Sequence, residues 1–298
     1  MQPKYIDIHC HINFEAFNED RDDVINRALG NSTWLINVGT QLDTSKKAIE
    51  IADKYKEGVY AIVGLHPIHT GASYHDEEEL GKGGKEFTSR GEVFDKELYG
   101  ELFKNSKVVG IGECGLDYYR CDEESISKQK EAFISQIELA NEFNKPLMLH
   151  IRNNPEKVHP DLKVTPQEGN LDAYADTIEL LKKYAKVKGV VHFFEGSLEN
   201  AKSFMSLGFL ISFTGAITYP PRKNRKGCDY EGIIKDISLD MILTDTDSPY
   251  MAPTPYRGER NEPSHVKEIV KKIAEIKNLS EEDVAKAIVI NAKRVFGI

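Results

Sequence analysis

Short apolar runs alternate with longer amphipathic ones along the chain. YIDIH (Tyr5 to His9), WLINVG (Trp34 to Gly39), VYAIVGLH (Val59 to His66), KVVGIGE (Lys107 to Glu113), PLMLHI (Pro146 to Ile151), GVVHFF (Gly189 to Phe194), FLISFTG (Phe209 to Gly215) and DMILTDTD (Asp240 to Asp247) read as buried strands. Between them, EDRDDVINRALGN, TSKKAIEIADKYKEG, EESISKQKEAFISQIELANEFNK, DAYADTIELLKKYAK and SLENAKSFMSLG repeat apolar residues at three and four positions, as helices do. Thr44 is expected to open the second of these helices and Gly58 to close it. Strands alternating with helices imply right-handed βαβ units and a parallel sheet. Eight such units in 298 residues predict an α/β fold of the TIM (β/α)8 barrel type, with a doubly wound open sheet as the alternative. A single domain over 1–298 is expected, its extra length in two polar insertions at about 68–92 and 153–170. Each insertion follows the C-terminal end of a strand, so both are expected over the catalytic face.

Composition narrows the class. At 40% hydrophobic and 29% charged residues the chain reads as soluble and globular. No apolar run approaches the ~20 residues of a membrane helix, and MQPKYIDIHC lacks the layout of a signal peptide. A cytoplasmic location, or a nuclear one in a eukaryote, is the expectation, with no membrane partner. Cys10, Cys114, Cys121 and Cys228 form no CxxC pair, which disfavours a zinc ribbon or a disulfide framework, and they are expected to be packed free thiols. A formal charge of -9 argues against a broad cationic surface for duplex DNA. It leaves room for a local phosphate site in which bound divalent ions supply the positive charge.

Chemistry enters where polar residues fall on these strands. His9 and His11 lie two apart, so in a strand both imidazoles point to one face. Glu113 closes the fourth predicted strand, His150 lies near the end of the fifth, His192 near the end of the sixth, and Asp247 closes the eighth. Singly, a strand-end His or Asp is more often a hydrogen-bonded core or capping residue. In a barrel all six converge on one mouth, and jointly they read as metal ligands. Four imidazoles and two carboxylates exceed the needs of one tetrahedral ion and suit two ions sharing a carboxylate. The mixed nitrogen and oxygen set favours zinc, manganese or cobalt by softness over an all-oxygen magnesium site.

Seven segments, IDIHCHINF, VGLHP, GIGECGLDYY, PLMLHIR, VVHFFEGS, LTDTDSPY and RGERNEPSHV, resemble in order the signature segments of the TatD-type metal-dependent deoxyribonucleases. The likeness covers nearly the whole chain apart from the two insertions. It implies a TIM-barrel hydrolase with two divalent metal ions (Mg²⁺, Mn²⁺ or Zn²⁺). His9, His11 and Asp247 would hold one ion and His150 and His192 the other, with Glu113 bridging. Asp247 would also orient or deprotonate the nucleophilic water, and His66 of GLHP matches a position near the substrate phosphate. Asp245 stands where the family usually has Glu and is not expected to be a ligand. Phe194 and Glu195 depart from the family's smaller turn residues, and Asn13 replaces a common acidic residue, departures expected to touch the substrate rim.

A phosphate substrate is also suggested by TYPPRKNRKGCDY, where Arg222, Lys223, Arg225 and Lys226 cluster after the seventh strand, although an ordinary solvated charge run fits equally well. Arg152, two residues past His150, is the stronger single phosphate contact. Phe14, Phe17, Tyr118, Tyr119 and Tyr250 follow the ligand segments and have the chemistry to stack bases, though core or rim packing is the commoner fate of such rings. A concave mouth suits a chain end, so single-stranded DNA or a 3′ end is the expected partner and exonuclease action the expected reaction. The family likeness implies 3′ to 5′ polarity. A barrel hydrolase acting on an ester, amide or lactone is the alternative, but it would leave the basic loop without a partner. A non-catalytic binding barrel would bury a full ligand set without using it.

Overall fold

All eight predicted strands form, and they lie in chain order in one parallel sheet. The computed structural model describes residues 2–75, 87–119, 121–154, 171–220 and 228–298. The sheet strands are β1 (Tyr5–Cys10), β2 (Thr33–Val38), β3 (Val59–Val63), β6 (Val108–Asp117), β7 (Leu147–Arg152), β8 (Gly189–Val191), β9 (Leu210–Phe213) and β10 (Ile242–Thr244). A two-stranded antiparallel hairpin, β4 (Ser73–His75) with β5 (Phe87–Ser89), interrupts the series after β3. Sequential order excludes the doubly wound alternative, whose strand order reverses at a switch point.

Alternation along the strands sorts the core. Leu35 of β2 and Ala61 and Val63 of β3 join Val24, Ile25, Ala28, Ala48 and Ile51 of the first two helices, α1 (Arg21–Gly30) and α2 (Leu42–Asp53). Their neighbours Ile36, Val38 and Ile62 belong to the larger cluster with Ile111 and Leu149. Residues one apart thus serve opposite faces, as the pleat requires.

The barrel closes between β1 and β10 without a regular ladder. Asp7 bridges the seam instead, its carboxylate accepting from the Thr246 backbone N–H at 2.8 Å and from the Thr246 hydroxyl at 2.6 Å. Beyond it the Asp247 N–H donates to the His9 carbonyl at 3.0 Å and the His11 N–H to the Ser248 carbonyl at 2.7 Å. Two metal-candidate segments are therefore stitched together by the closure itself.

Several boundaries differ from the sequence reading. Helix α2 begins at Leu42, because the Gln41 carbonyl already accepts from Ser45 N–H at 2.8 Å. Thr44 lies inside the first turn, its hydroxyl accepting from the Gln41 N–H at 2.9 Å, so it caps from within instead of opening the helix. The helix stops at Asp53, and Gly58, at φ +86°, serves the turn into β3. Strand β6 continues past Glu113 to Asp117, and β8 ends one residue before His192. The eighth strand is only Ile242–Thr244, so Asp245 and Asp247 stand beyond its end.

Among the described residues the remaining α-helices are α3 (Lys96–Leu102), α4 (Glu123–Phe143), α5 (Ala173–Tyr184), α6 (Leu198–Ser206), α7 (Tyr230–Asp236), α8 (Val266–Lys277) and α9 (Glu281–Phe296). Of these, α3, α7, α8 and α9 are absent from the five helices read in the sequence. The insertions do leave from the C-terminal ends of β3 and β7, on the mouth side. Most of their length, and the basic loop with Arg222, Lys223, Arg225 and Lys226, lies outside the described residues. Among the described residues no helix is long and apolar enough to cross a membrane.

Candidate metal centre

Glu113 stands at the middle of the mouth, and the local sequence explains how. It lies between Gly112 (φ +151°) and Gly115 (φ +138°) in a stretch where the β6–β7 register shifts. A Cβ on Gly112 would meet the Met148 carbonyl oxygen at 2.5 Å, and one on Gly115 would meet the His150 carbonyl oxygen at 2.1 Å. The glycines of GECG thus let β6 run against β7 while the irregularity turns the carboxylate toward the barrel axis.

Each oxygen of Glu113 faces a different set of histidines. Oε2 lies 3.3 Å from His9 Nε2 and 3.6 Å from His11 Nε2. Oε1 lies 2.9 Å from His150 Nδ1, 3.0 Å from His192 Nε2 and 3.4 Å from His66 Nε2. Asp247 completes the first side, its Oδ1 at 3.5 Å from His11 Nε2 and 3.9 Å from His9 Nε2. The donor atoms fall into three compact groups: His9, His11 and Asp247; His9, Glu113 and His192; and His66, Glu113 and His150. All six residues expected from the strand ends are brought together, and His66 joins them.

Partners behind the rings decide which nitrogen offers a lone pair. His11 Nδ1 lies 3.0 Å from the Val38 carbonyl, which can only accept, so in the neutral ring Nε2 is left bare toward Glu113 and Asp247. His192 Nδ1 faces Asp245 at 3.5 Å, while the Ser212 hydroxyl donates to the other Asp245 oxygen, leaving His192 Nε2 for the centre. His150 Nε2 contacts Asp117 at 2.8 Å, leaving Nδ1 for the centre. These are the carboxylate–histidine pairs that orient metal ligands. His66 has the opposite tautomer: its Nδ1 accepts from the Ile68 N–H at 3.2 Å, so Nε2 of the neutral ring carries a hydrogen. It is therefore built to donate to an anion.

Asp117 was missed by the sequence reading, which ended the strand at Glu113. The signal was available, because residues 113, 115 and 117 share one face of a continuing strand. Gln129 of α4 braces Asp117 on both sides, accepting from its N–H at 2.8 Å and donating to its carbonyl at 2.9 Å. Asp245, set aside as a ligand, is fully buried behind His192.

The donor set fits divalent cations. Asp7, Glu113, Asp117 and Asp245 are buried together with Asp247 beside them, and among the described residues no Lys or Arg forms an ion pair with any of the five. Such a concentration of carboxylate needs positive charge from elsewhere. His9 Nε2 and His11 Nε2 lie 3.1 Å apart, both facing Glu113 Oε2 and Asp247 Oδ1, while His9 Nδ1 is buried without a hydrogen-bond partner. Two imidazole nitrogens that face each other this closely, beside two carboxylate oxygens, are a donor set that would hold one cation.

Protonation follows the same geometry. Burial, reinforced by the neighbouring His192, lowers His9 to about 4. His150 goes the other way: burial opposes its charge, but hydrogen bonds to Asp117 and Glu113 outweigh it and raise the imidazole to about 9. Glu113 is held well below the usual carboxylate range, burial being overcome by His66, His9 and His192 around it.

The expected substrate contacts are less uniform. The Arg152 guanidinium lies 3.8 Å from the Tyr119 ring centre, at the rim beside His150. Phe14 stacks on His11 with ring centroids 4.4 Å apart and so borders the centre, while Tyr250 is half-buried and its backbone N–H donates to the Asp247 carbonyl at 2.9 Å. Phe17 and Tyr118 are fully buried, the latter with its hydroxyl donating to Asp176 at 2.7 Å, so neither can stack a base. Phe194 is likewise core, packed edge-on against Tyr174, and Asn13 is tied to the Val38 and Thr44 carbonyls. Neither forms a rim. Cys10 and Cys114 are buried free thiols turned toward the backbone carbonyls of Ile36 and Met148.

The family described as TatD related DNase matches residues 6–297. A protein of Bacillus subtilis (strain 168), named uncharacterized metal-dependent hydrolase YabD, is 35% identical over 98% of this chain and 98% of its own. The Escherichia coli (strain K12) uncharacterized metal-dependent hydrolase YcfH is 30% identical over 98% of this chain and 96% of its own. The crystal structure of YjjV, a TatD homologue of Escherichia coli K12, superposes with a TM-score of 0.75 at 25% identity, covering 100% of both chains.

Proposed function

Because the chain belongs to the TatD-related DNase family of metal-dependent hydrolases, we propose that it hydrolyses phosphodiester bonds of DNA, acting on single strands or 3′ ends as a 3′ to 5′ exonuclease. The observation that carries this reading is the division of Glu113, whose Oε2 faces His9 and His11 and whose Oε1 faces His150 and His192. That division supports two divalent ions, Mg²⁺, Mn²⁺ or Zn²⁺, sharing the carboxylate, with His9, His11 and Asp247 on one side and His150 and His192 on the other. When bound, such a pair lowers the pKa of a water and neutralises charge on a phosphoryl group.

The chain's own residues do the rest. Asp247 is held by its backbone N–H on the His9 carbonyl, which keeps its carboxylate at the centre as the acceptor of the attacking water's proton. The water oxygen bonds to phosphorus, the bond from phosphorus to the 3′ oxygen breaks, the 3′ oxygen of the shortened strand takes a proton from solvent, and a 5′-mononucleotide is released. His66, with its hydrogen on Nε2, donates to a phosphate oxygen, and Arg152, stacked on Tyr119, holds the phosphate from the rim. Four free cysteines are consistent with work in the reducing cytoplasm.

The test is hydrolysis of a single-stranded oligonucleotide labelled at its 5′ end, by metal-stripped protein given Mg²⁺, Mn²⁺ or Zn²⁺, with Asp247→Asn beside it. A ladder shortening from the 3′ end, slowed at least a hundredfold in the variant, is expected. Absence of cleavage with every metal, while an ester or lactone is turned over, would replace this reading by carbonyl hydrolysis.

A further inference from the structure

The segment RGERNEPSHV contributes no residue to the centre, yet most of it is accounted for. Arg260 donates to both carboxylate oxygens of Asp20, at 2.9 and 2.6 Å, and to the Ala16 carbonyl. Asn261 donates to the carbonyls of Thr246 and Tyr250, at 2.8 and 2.7 Å. These bonds anchor the long loop that follows Asp247.

Arg257 is the exception. It is exposed, and among the described residues it forms no ion pair; its contact is the ring of Tyr219, with the guanidinium 4.5 Å from the ring centre. Tyr219 belongs to the loop after β9, and the two loops are locked together. The Tyr219 hydroxyl donates to the Ala252 carbonyl at 2.9 Å, and the Thr254 N–H donates to the Thr218 hydroxyl at 2.9 Å. Gly215 packs so closely that a Cβ there would meet the Met251 carbonyl oxygen at 2.0 Å. A side chain that usually wanders is thus held on a firm platform at the same end of the barrel as Asp247. The ring holds the guanidinium from one side while the side chain stays exposed, and its fork of N–H donors suits phosphate.

Resting on the phosphodiester reading, we propose that Arg257 on Tyr219 is a second phosphate subsite, holding the DNA strand 5′ of the scissile bond. The other stacked pair, Arg152 on Tyr119, rises from the ends of β7 and β6, and β8 and β9 separate β7 from β10 in the sheet. A strand laid across the mouth meets one cation from each side. In a chain of net charge -9, fixed guanidinium groups at the mouth select a polyanion over a lone phosphoester.

The test uses metal-loaded full-length protein and reads the kcat/KM of a tetranucleotide divided by that of a dinucleotide, which has only the scissile phosphate. In Arg257→Ala that ratio is expected to fall about tenfold through KM, the loss of one charge-assisted hydrogen bond. Arg257→Lys should restore part of it, and Lys202→Ala, which removes a cation from the outer helix α6, should leave it at the wild-type value. Cleavage of both substrates with the same ratio in Arg257→Ala overturns the subsite and leaves the nuclease standing. Failure of the wild type to cleave either one, while it turns over bis(4-nitrophenyl) phosphate, overturns the DNA reading and the subsite with it.

Discussion

Five imidazoles and five carboxylates meet at one end of this barrel, and their roles are separated by what lies behind each ring. His11 is backed by a carbonyl, His192 by Asp245 and His150 by Asp117, so each ring, when neutral, turns a lone pair inward. His66 is backed by an N–H donor and turns a hydrogen inward. Asp117→Asn keeps the shape of this arrangement but removes the anion that holds His150. Metal affinity is expected to fall 10- to 100-fold, read by calorimetric titration of Mn²⁺ into stripped protein. A loss under twofold would make Asp117 a purely structural residue. His9, His11, Glu113, His150, His192 and Asp247 were legible in the chain because strand ends and i, i+2 spacing are sequence properties. Which nitrogen each ring presents was not, since the deciding partners are as remote in sequence as Val38 and Asp245.

At the level of elements, the strand alternation was legible and the strand lengths were not. Eight apolar runs located the sheet, but β6 runs four residues further than its apolar pattern because glycines keep it paired with β7. Gly115→Ala tests that pairing. A Cβ at φ +138° and 2.1 Å from the His150 carbonyl oxygen should cost about 2 to 3 kcal/mol in urea unfolding, with activity falling as His150 moves from Glu113. An unchanged midpoint would show that β6 relaxes freely. The final helices went unread although Val266, Ile269, Val270 and Ile273 have helical spacing and bury together.

For the whole molecule, the centre couples stability to pH and metal in opposite senses. His150, raised from about 6.5 to about 9 by its carboxylate partners, stabilises the metal-free protein fully below about pH 6.5 and loses that contribution as pH rises through 9. His9, lowered to about 4, is buried neutral, so stability is also lost as pH falls from about 6.5 toward 4. Scanning calorimetry of stripped protein should therefore show a maximum near about pH 6.5. Added Mn²⁺ should raise the midpoint more at pH 9 than at pH 6.5, because a ligand imidazole must be neutral. A midpoint that rises steadily from pH 6.5 to 9 without metal would contradict the His150 pairing. By itself the sequence determined the barrel, the end at which the polar residues gather and the family, because strand periodicity, chain order and ordered segments are all local or linear properties. Only the tertiary structure decided the two-faced Glu113, the tautomers of His11, His150 and His192, the Asp7 seam and the Arg257–Tyr219 contact. Each depends on groups from different strands or loops meeting at distances that barrel closure alone sets.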